Sequence, residues 1–186
     1  MSEQELKKEA RERFEKSLSH LQEMLRGIRT GRASSALVDN IRVDYYGTPT
    51  PINQLASVSI PEPRQIMIKP FDLSVLKEMG KAIMKSDLGT SPQDDGKVLR
   101  VTLPPLSGEQ RTKYVARVKE LCEEARVSMR NGRRDVNKSA DQAEKAGDMT
   151  QDVNRKLHDD VQSLLKDYEG KVDDVQSKKV DEIMEV

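Results

Sequence analysis

Apolar residues recur near the start of the chain at steps of four and three: Leu6, Ala10, Phe14, Leu18, Leu21, Leu25 and Ile28. That spacing lines one face of an α-helix. Ser2 followed by Glu5 has the spacing of a capping box at its start. The predicted helix runs roughly 40 Å at about 1.5 Å per residue, longer than most globular helices. From about residue 31 the period changes. Ile41, Val43 and Tyr45 alternate in IRVDYY, GTPTP supplies turn residues, and SVSI and RQIMIK read as further short strands. A helical stretch near Leu73 to Lys85 closes on Leu88-Gly89, with Gly89 suited to the left-handed cap, and Val98 to Leu103 reads as a last strand before Pro104-Pro105.

After the prolines the helical period returns. Ser107 and Gln110 have capping-box spacing, and Val118, Cys122, Ala125, Met129, Gly132, Val136 and Ala143 trace an apolar stripe towards Lys145. Gly147 stops it, and Thr150 offers the N-cap of a third helix carrying Val153, Leu157, Val161, Leu165, Tyr168, Val172 and Val175. Long helices with one apolar stripe each are unstable singly and bury those stripes together. The expected fold is therefore α+β: a three-helix bundle from residues 1–30 and 105–186, with a β/α/β domain, residues 31–104, inserted between helices one and two. The insertion hangs on two short tethers, Thr30 to Arg32 and Pro104-Pro105. Thr30, Gly31, Pro104 and Pro105 are the expected hinge, since two short tethers favour relative domain motion.

Composition supports thin, helical architecture: 34% of residues are charged and 3% aromatic, too few for a large aromatic core. The single cysteine, Cys122, forms no intramolecular disulfide and points to the cytosol. No apolar leader and no stretch of membrane-spanning length is visible, so membrane insertion is not expected. The formal net charge is zero, yet the charge is segregated. Residues 147–186 hold 6 basic and 11 acidic side chains, whereas 126–138 hold Arg126, Arg130, Arg133, Arg134 and Lys138 against Asp135 alone. That short basic stretch is the best candidate for a polyanion contact.

Arg126, Arg130, Arg133 and Arg134 stand at i, i+4, i+7 and i+8, offset from the apolar stripe, which predicts guanidinium groups turned to solvent and suited to phosphate. The plain alternative is a solvated face balanced by Glu and Asp. With few aromatics nearby, RNA would be read through backbone and shape rather than stacking. Gly132 lies on the apolar stripe, which calls either for close approach of another helix or for a bend. Enzyme chemistry finds little support. His20 and His158 lie on separate helices without metal-ligand spacing, Cys122 sits in register with the core, and the glycine spacing after Gly89 does not fit a phosphate loop. Asp94-Asp95-Gly96 reads as a turn. No catalytic residue, metal or cofactor is expected.

Six segments in order, IRTGRAS from Ile28, VDYYGTPTPINQLAS from Val43, KAIMKSDLG from Lys81, RVTLPPLS from Arg100, EEARVSMRNGRRD from Glu123 and the closing helix, resemble the ribosome recycling factor family over essentially the whole chain. The resemblance implies an L-shaped, two-domain, monomeric cytoplasmic translation factor. Such a factor would bind the post-termination ribosome and, with elongation factor G and GTP, split it into subunits. It implies contacts to large-subunit ribosomal RNA from Arg130, Arg133 and Arg134, from Arg126 on the same face, and from Arg29 and Arg32, which match the family's basic residues at the hinge. The chain departs from the family at Gly108, Gln110 and Gly132. The first two put an elbow salt bridge in question, and the third is expected to soften the helix beside the arginines.

Overall fold

The computed structural model describes residues 2–185. Helix α1, Glu3–Arg26, opens on the capping box: the Glu5 amide donates to Ser2 Oγ at 3.3 Å and the Ser2 amide to Glu5 Oε2 at 2.7 Å. It stops short of Ile28, because Gly27 follows and favours leaving the helix. A short helix α2, Ala36–Asp39, leads to a hairpin of β1, Arg42–Tyr45, and β2, Thr48–Pro51. Tyr46 and Gly47 make its two-residue turn with φ of 49° and 83°, the primed turn matching strand twist. The TPTP segment is thus a strand rather than only a turn. Its prolines are tolerated because β2 has one neighbour and needs no ladder donor on its other side.

One turn of helix, α3 (Ile52–Leu55), precedes β3, Ala56–Glu62, and β4, Gln65–Pro70. A 3-10 turn, Leu73–Val75, runs into α4, Leu76–Met84, whose Leu76, Met79 and Ile83 are buried. Strands β5, Gln93–Asp94, and β6, Leu99–Thr102, complete an antiparallel sheet in the order β3-β4-β6-β5. Its core holds Val38, Val43, Ile52, Ile66, Ile68, Met79, Leu99 and Val101. Between β5 and β6, Asp94-Asp95-Gly96 forms the expected turn, the Gly96 amide donating to Asp94 Oδ1 at 2.7 Å at a φ of 80°.

Helix α5, Gly108–Lys145, starts on a second capping box between Ser107 and Gln110, with bonds of 3.2 and 3.1 Å. It ends in a Schellman motif: Gly147 has a φ of 80°, its amide bonds Glu144 O at 3.0 Å and the Asp148 amide bonds Ala143 O at 2.9 Å. Helix α6, Gln151–Met184, is capped by Thr150 Oγ1, 3.4 Å from the Val153 amide. Arg13 pairs with Asp135 and Ser17 with Ser128, so α1 and α5 run antiparallel; Lys7 pairs with Asp160 and Glu15 with Tyr168, so α1 and α6 run parallel. The apolar stripes meet around Phe14, which is fully buried, with its ring centroid 5.7 Å from that of Tyr168.

Gly132 faces this point. A Cβ there would lie 3.5 Å from Phe14 Cε1 and 3.6 Å from Arg13 Cβ, and α5 runs through it uninterrupted. Close approach of α1, not a helix break, accounts for its place. The chain divides into two compact units, Met1–Leu25 with Val115–Asp181, and Arg26–Tyr114 with Glu182–Val186. The division falls within the three long helices.

Candidate nucleic-acid interface

The four arginines of α5 lie as the spacing predicts, but their environments differ from the expectation of free guanidinium groups. Arg126 is only 18% exposed: Nη2 donates to Asp173 Oδ1 at 2.5 Å and Gln176 Oε1 at 3.1 Å, and Nη1 to Glu123 Oε2 at 3.4 Å. Burial works against its charge, yet the hydrogen bond and charge of Asp173 outweigh it and hold the guanidinium more firmly protonated than usual. Arg130 donates to Glu123 Oε1 at 2.6 Å and lies 3.5 Å from Glu169. The Arg130 hydrogen bond holds the Glu123 carboxyl below the usual carboxylate range. Arg133 is half-buried against Gln162, with Nε unpartnered.

Arg134 alone of the four is exposed without a hydrogen bond or ion pair among the described residues. The correction has a simple cause. Bundle packing lays α6 alongside α5, so Asp173, Glu169 and the uncharged Gln162, distant in sequence, join Glu123, just upstream on α5 itself, in taking up arginines that seemed locally unopposed. Asp135, the one acid within residues 126–138, is instead engaged by Arg13 at 2.9 Å.

Two lysines extend what Arg134 begins. Lys138 and Lys145 stand at i+4 and i+11 from it, on the same outward face of α5, both exposed and without an ion pair among the described residues. Lys145 was not singled out by the sequence reading, although its spacing from Arg134 carried the signal. Arg130, still 41% exposed, borders this face. Asp141, at i+7 from Arg134, interrupts this row and is engaged by Asn154 Nδ2 at 3.0 Å and His158 Nε2 at 3.1 Å. The three cations beside it have no ion pair among the described residues and suit successive phosphates rather than a small molecule.

The residues expected at the tethers lie in the second unit. Arg32 is at the surface, 70% exposed, pairing with Glu185 at 3.0 Å. Thr30 Oγ1 accepts from the Arg32 amide at 3.3 Å, and Pro104 and Pro105 are exposed beside buried Leu106. Arg29 departs from a surface role: it is 7% exposed and donates to the carbonyls of Leu88 at 3.2 Å and Pro104 at 2.6 Å. With Gly108 and Gln110 in place, Arg111 supplies the local tie, donating to the carbonyls of Ile183 and Glu185 at 3.0 and 2.8 Å and so closing the end of α6.

Cys122 is buried, and burial pushes its thiol up, as for a core residue rather than a nucleophile. His158 Nε2 lies 3.1 Å from Asp141. Among the described residues no group of three or more His, Cys, Asp or Glu is placed to hold a metal ion, and no helix is long and apolar enough to cross a membrane.

Comparison with known proteins agrees with this architecture. The family model "Ribosome recycling factor" matches residues 21–184. The ribosome-recycling factor of Desulfatibacillum aliphaticivorans is 47% identical over 177 residues, covering 95% of this chain and 96% of that protein. The one from Geobacillus kaustophilus is 46% identical over 178 residues, covering 96% of each. A solution structure of the ribosome recycling factor superposes with a TM-score of 0.77 at 35% identity, covering 100% of this chain and 99% of the other. A second structure gives models for the T. thermophilus ribosome recycling factor and the E. coli elongation factor G bound to the E. coli post-termination complex. It matches at a TM-score of 0.69 and 37% identity, covering 98% and 99%. The chain belongs to the ribosome recycling factor family.

Proposed function

We propose that this chain is a non-enzymatic cytoplasmic translation factor that binds the post-termination ribosome as a monomer. Together with elongation factor G and GTP, it would separate the ribosome into subunits. The observation that carries the reading is the exposed cation row of Arg134, Lys138 and Lys145, bordered by Arg130, on a chain of this family. These side chains are the proposed contacts to large-subunit ribosomal RNA, with Arg32 as a further exposed cation at the tether. Arg126 and Arg133 hold the face in place from behind, through Asp173 and Gln162.

The inserted domain, residues 31–104, is the part on which the partner GTPase acts, with Thr30, Gly31, Pro104 and Pro105 as its hinge. Binding and leverage are the chain's chemistry, and GTP is turned over on the partner. Light scattering of post-termination ribosomes tests this. Scattering is expected to fall only when this chain, elongation factor G and GTP are all present. Subunit separation that proceeds equally without the chain would overturn the reading, as would GTP turnover by the chain alone.

A further inference from the structure

Arg29 carries a permanent charge into the interior of its unit without an ion pair among the described residues. Burying an arginine in this way is costly unless its donors are occupied. Here two backbone carbonyls far apart in sequence occupy them: Leu88 O, in the turn after α4, and Pro104 O, on the second tether. The chain around Arg29 forms a closed circuit. Just after the first tether the Ala33 amide donates to Pro63 O at 2.7 Å; just before the second, the Leu103 amide donates to Arg64 O at 2.8 Å. Pro63 and Arg64 are neighbours in the turn between β3 and β4, so that turn grips both tethers from one side. Arg29 joins them from the other, and Thr90 Oγ1 adds a bond to Thr102 O at 2.8 Å.

We propose that Arg29 is a positioning residue: a latch that welds Thr30–Ala33 to Leu103–Pro104, so that the two tethers bend as one hinge instead of as two independent strands. The inference rests on the proposed function for its consequence, since a lever transmits force only if its two attachments move together. The chemistry demands arginine. Its planar fork reaches two carbonyls in diverging directions, which a single ammonium at the end of a lysine does not reproduce. One feature keeps the latch from being permanent. Nε is buried without a partner, so the docked state is less favourable than a fully satisfied arginine would make it.

The test uses the full-length Arg29→Lys and Arg29→Met variants with wild type alongside. Amide hydrogen exchange is read at Ala33 and Leu103, with the β4–β6 ladder, Ile66 to Val101, as internal control. In both variants exchange at Ala33 and Leu103 is expected to rise together by about tenfold or more while the ladder stays protected. Ribosome affinity in the absence of elongation factor G should stay within about twofold, and the splitting rate with it should fall by about fivefold or more. Three results overturn the proposal: unchanged protection at Ala33 and Leu103, full recovery of protection and rate by Arg29→Lys, or loosened tethers with an undiminished splitting rate. In the first case, lost ribosome affinity would make Arg29 an RNA ligand instead. If wild type itself fails to split ribosomes, the proposed function falls while the exchange data still judge the latch.

Discussion

The two compact units share surface arginine–carboxylate pairs, Arg32–Glu185 and Arg100–Asp95 being those of the β-rich unit, but differ in what holds an arginine in the interior. In the helical unit, Arg13, Arg126 and Arg130 lie at or near the surface and join helices through the carboxylates of Asp135, Asp173 and Glu169, with Glu123 as a partner on α5 itself. In the β-rich unit, Arg29 is interior and held by carbonyl oxygens alone. The difference teaches that a cation's role follows from what packs against it, not from local sequence charge. Residues that looked free are engaged, and Arg134, Lys138 and Lys145 are left without an ion pair among the described residues.

The largest effect expected in breaking this contrast comes from the core that brings α6 alongside α5. Phe14→Ala removes the ring between Gly132 and Tyr168 and is expected to cost about 3–5 kcal/mol in urea unfolding followed by helical circular dichroism. A smaller effect runs in the other direction. A Cβ at Gly132 meets Phe14 and Arg13 only at ordinary contact distances, so Gly132→Ala is expected to stabilise the bundle by about 0.5–1 kcal/mol. A loss of stability there would show that α1 needs the gap.

Salt separates the two kinds of arginine directly. Raising ionic strength from about 0.1 to 1 M shortens the screening length from about 10 to 3 Å, and exposed pairs such as Arg13–Asp135 should lose at most about 1 kcal/mol. Protection at Ala33 and Leu103, which the interior Arg29 supports, should not change. Acid gives the finest probe. Hydrogen bonds from Arg130 and Lys7 lower the carboxyls of Glu123 and Asp160 from ordinary values of 4.5 and 3.8. Folded-state values below the unfolded ones mean their contribution is present above those values and is lost as pH falls through the lowered ones. Stability should therefore be flat down to about pH 5 and decline below it. Glu123→Gln should shallow that decline in a pH series of unfolding curves.

Much of this was legible in the sequence. The steps from Leu6 to Leu25 and from Val118 to Ala143 named the buried faces, the Ser2 and Ser107 boxes named two helix starts, and Gly147 named a stop. Each is a local signal. What stayed hidden depends on packing between distant segments. Most partners of Arg126, Arg130 and Arg133 lie 29 to 50 residues downstream, whereas Glu123, one turn before Arg126 and two before Arg130 on the same face, was a local one. Arg29 reads as an ordinary basic residue until Leu88 and Pro104 close over it, 59 and 75 residues away. The TPTP strand was missed because proline argues against strands in general and fails to do so only on an edge.

The measurement that tests the central claim most directly is ribosome affinity across a salt series. It compares wild type with a variant in which Arg134, Lys138 and Lys145 are all glutamine, and with Arg126→Gln as control. If the exposed row meets phosphate, the log-log slope of the triple variant should be shallower by roughly 2 to 3, with the control close to wild type. Parallel slopes for the triple variant and wild type would contradict the claim.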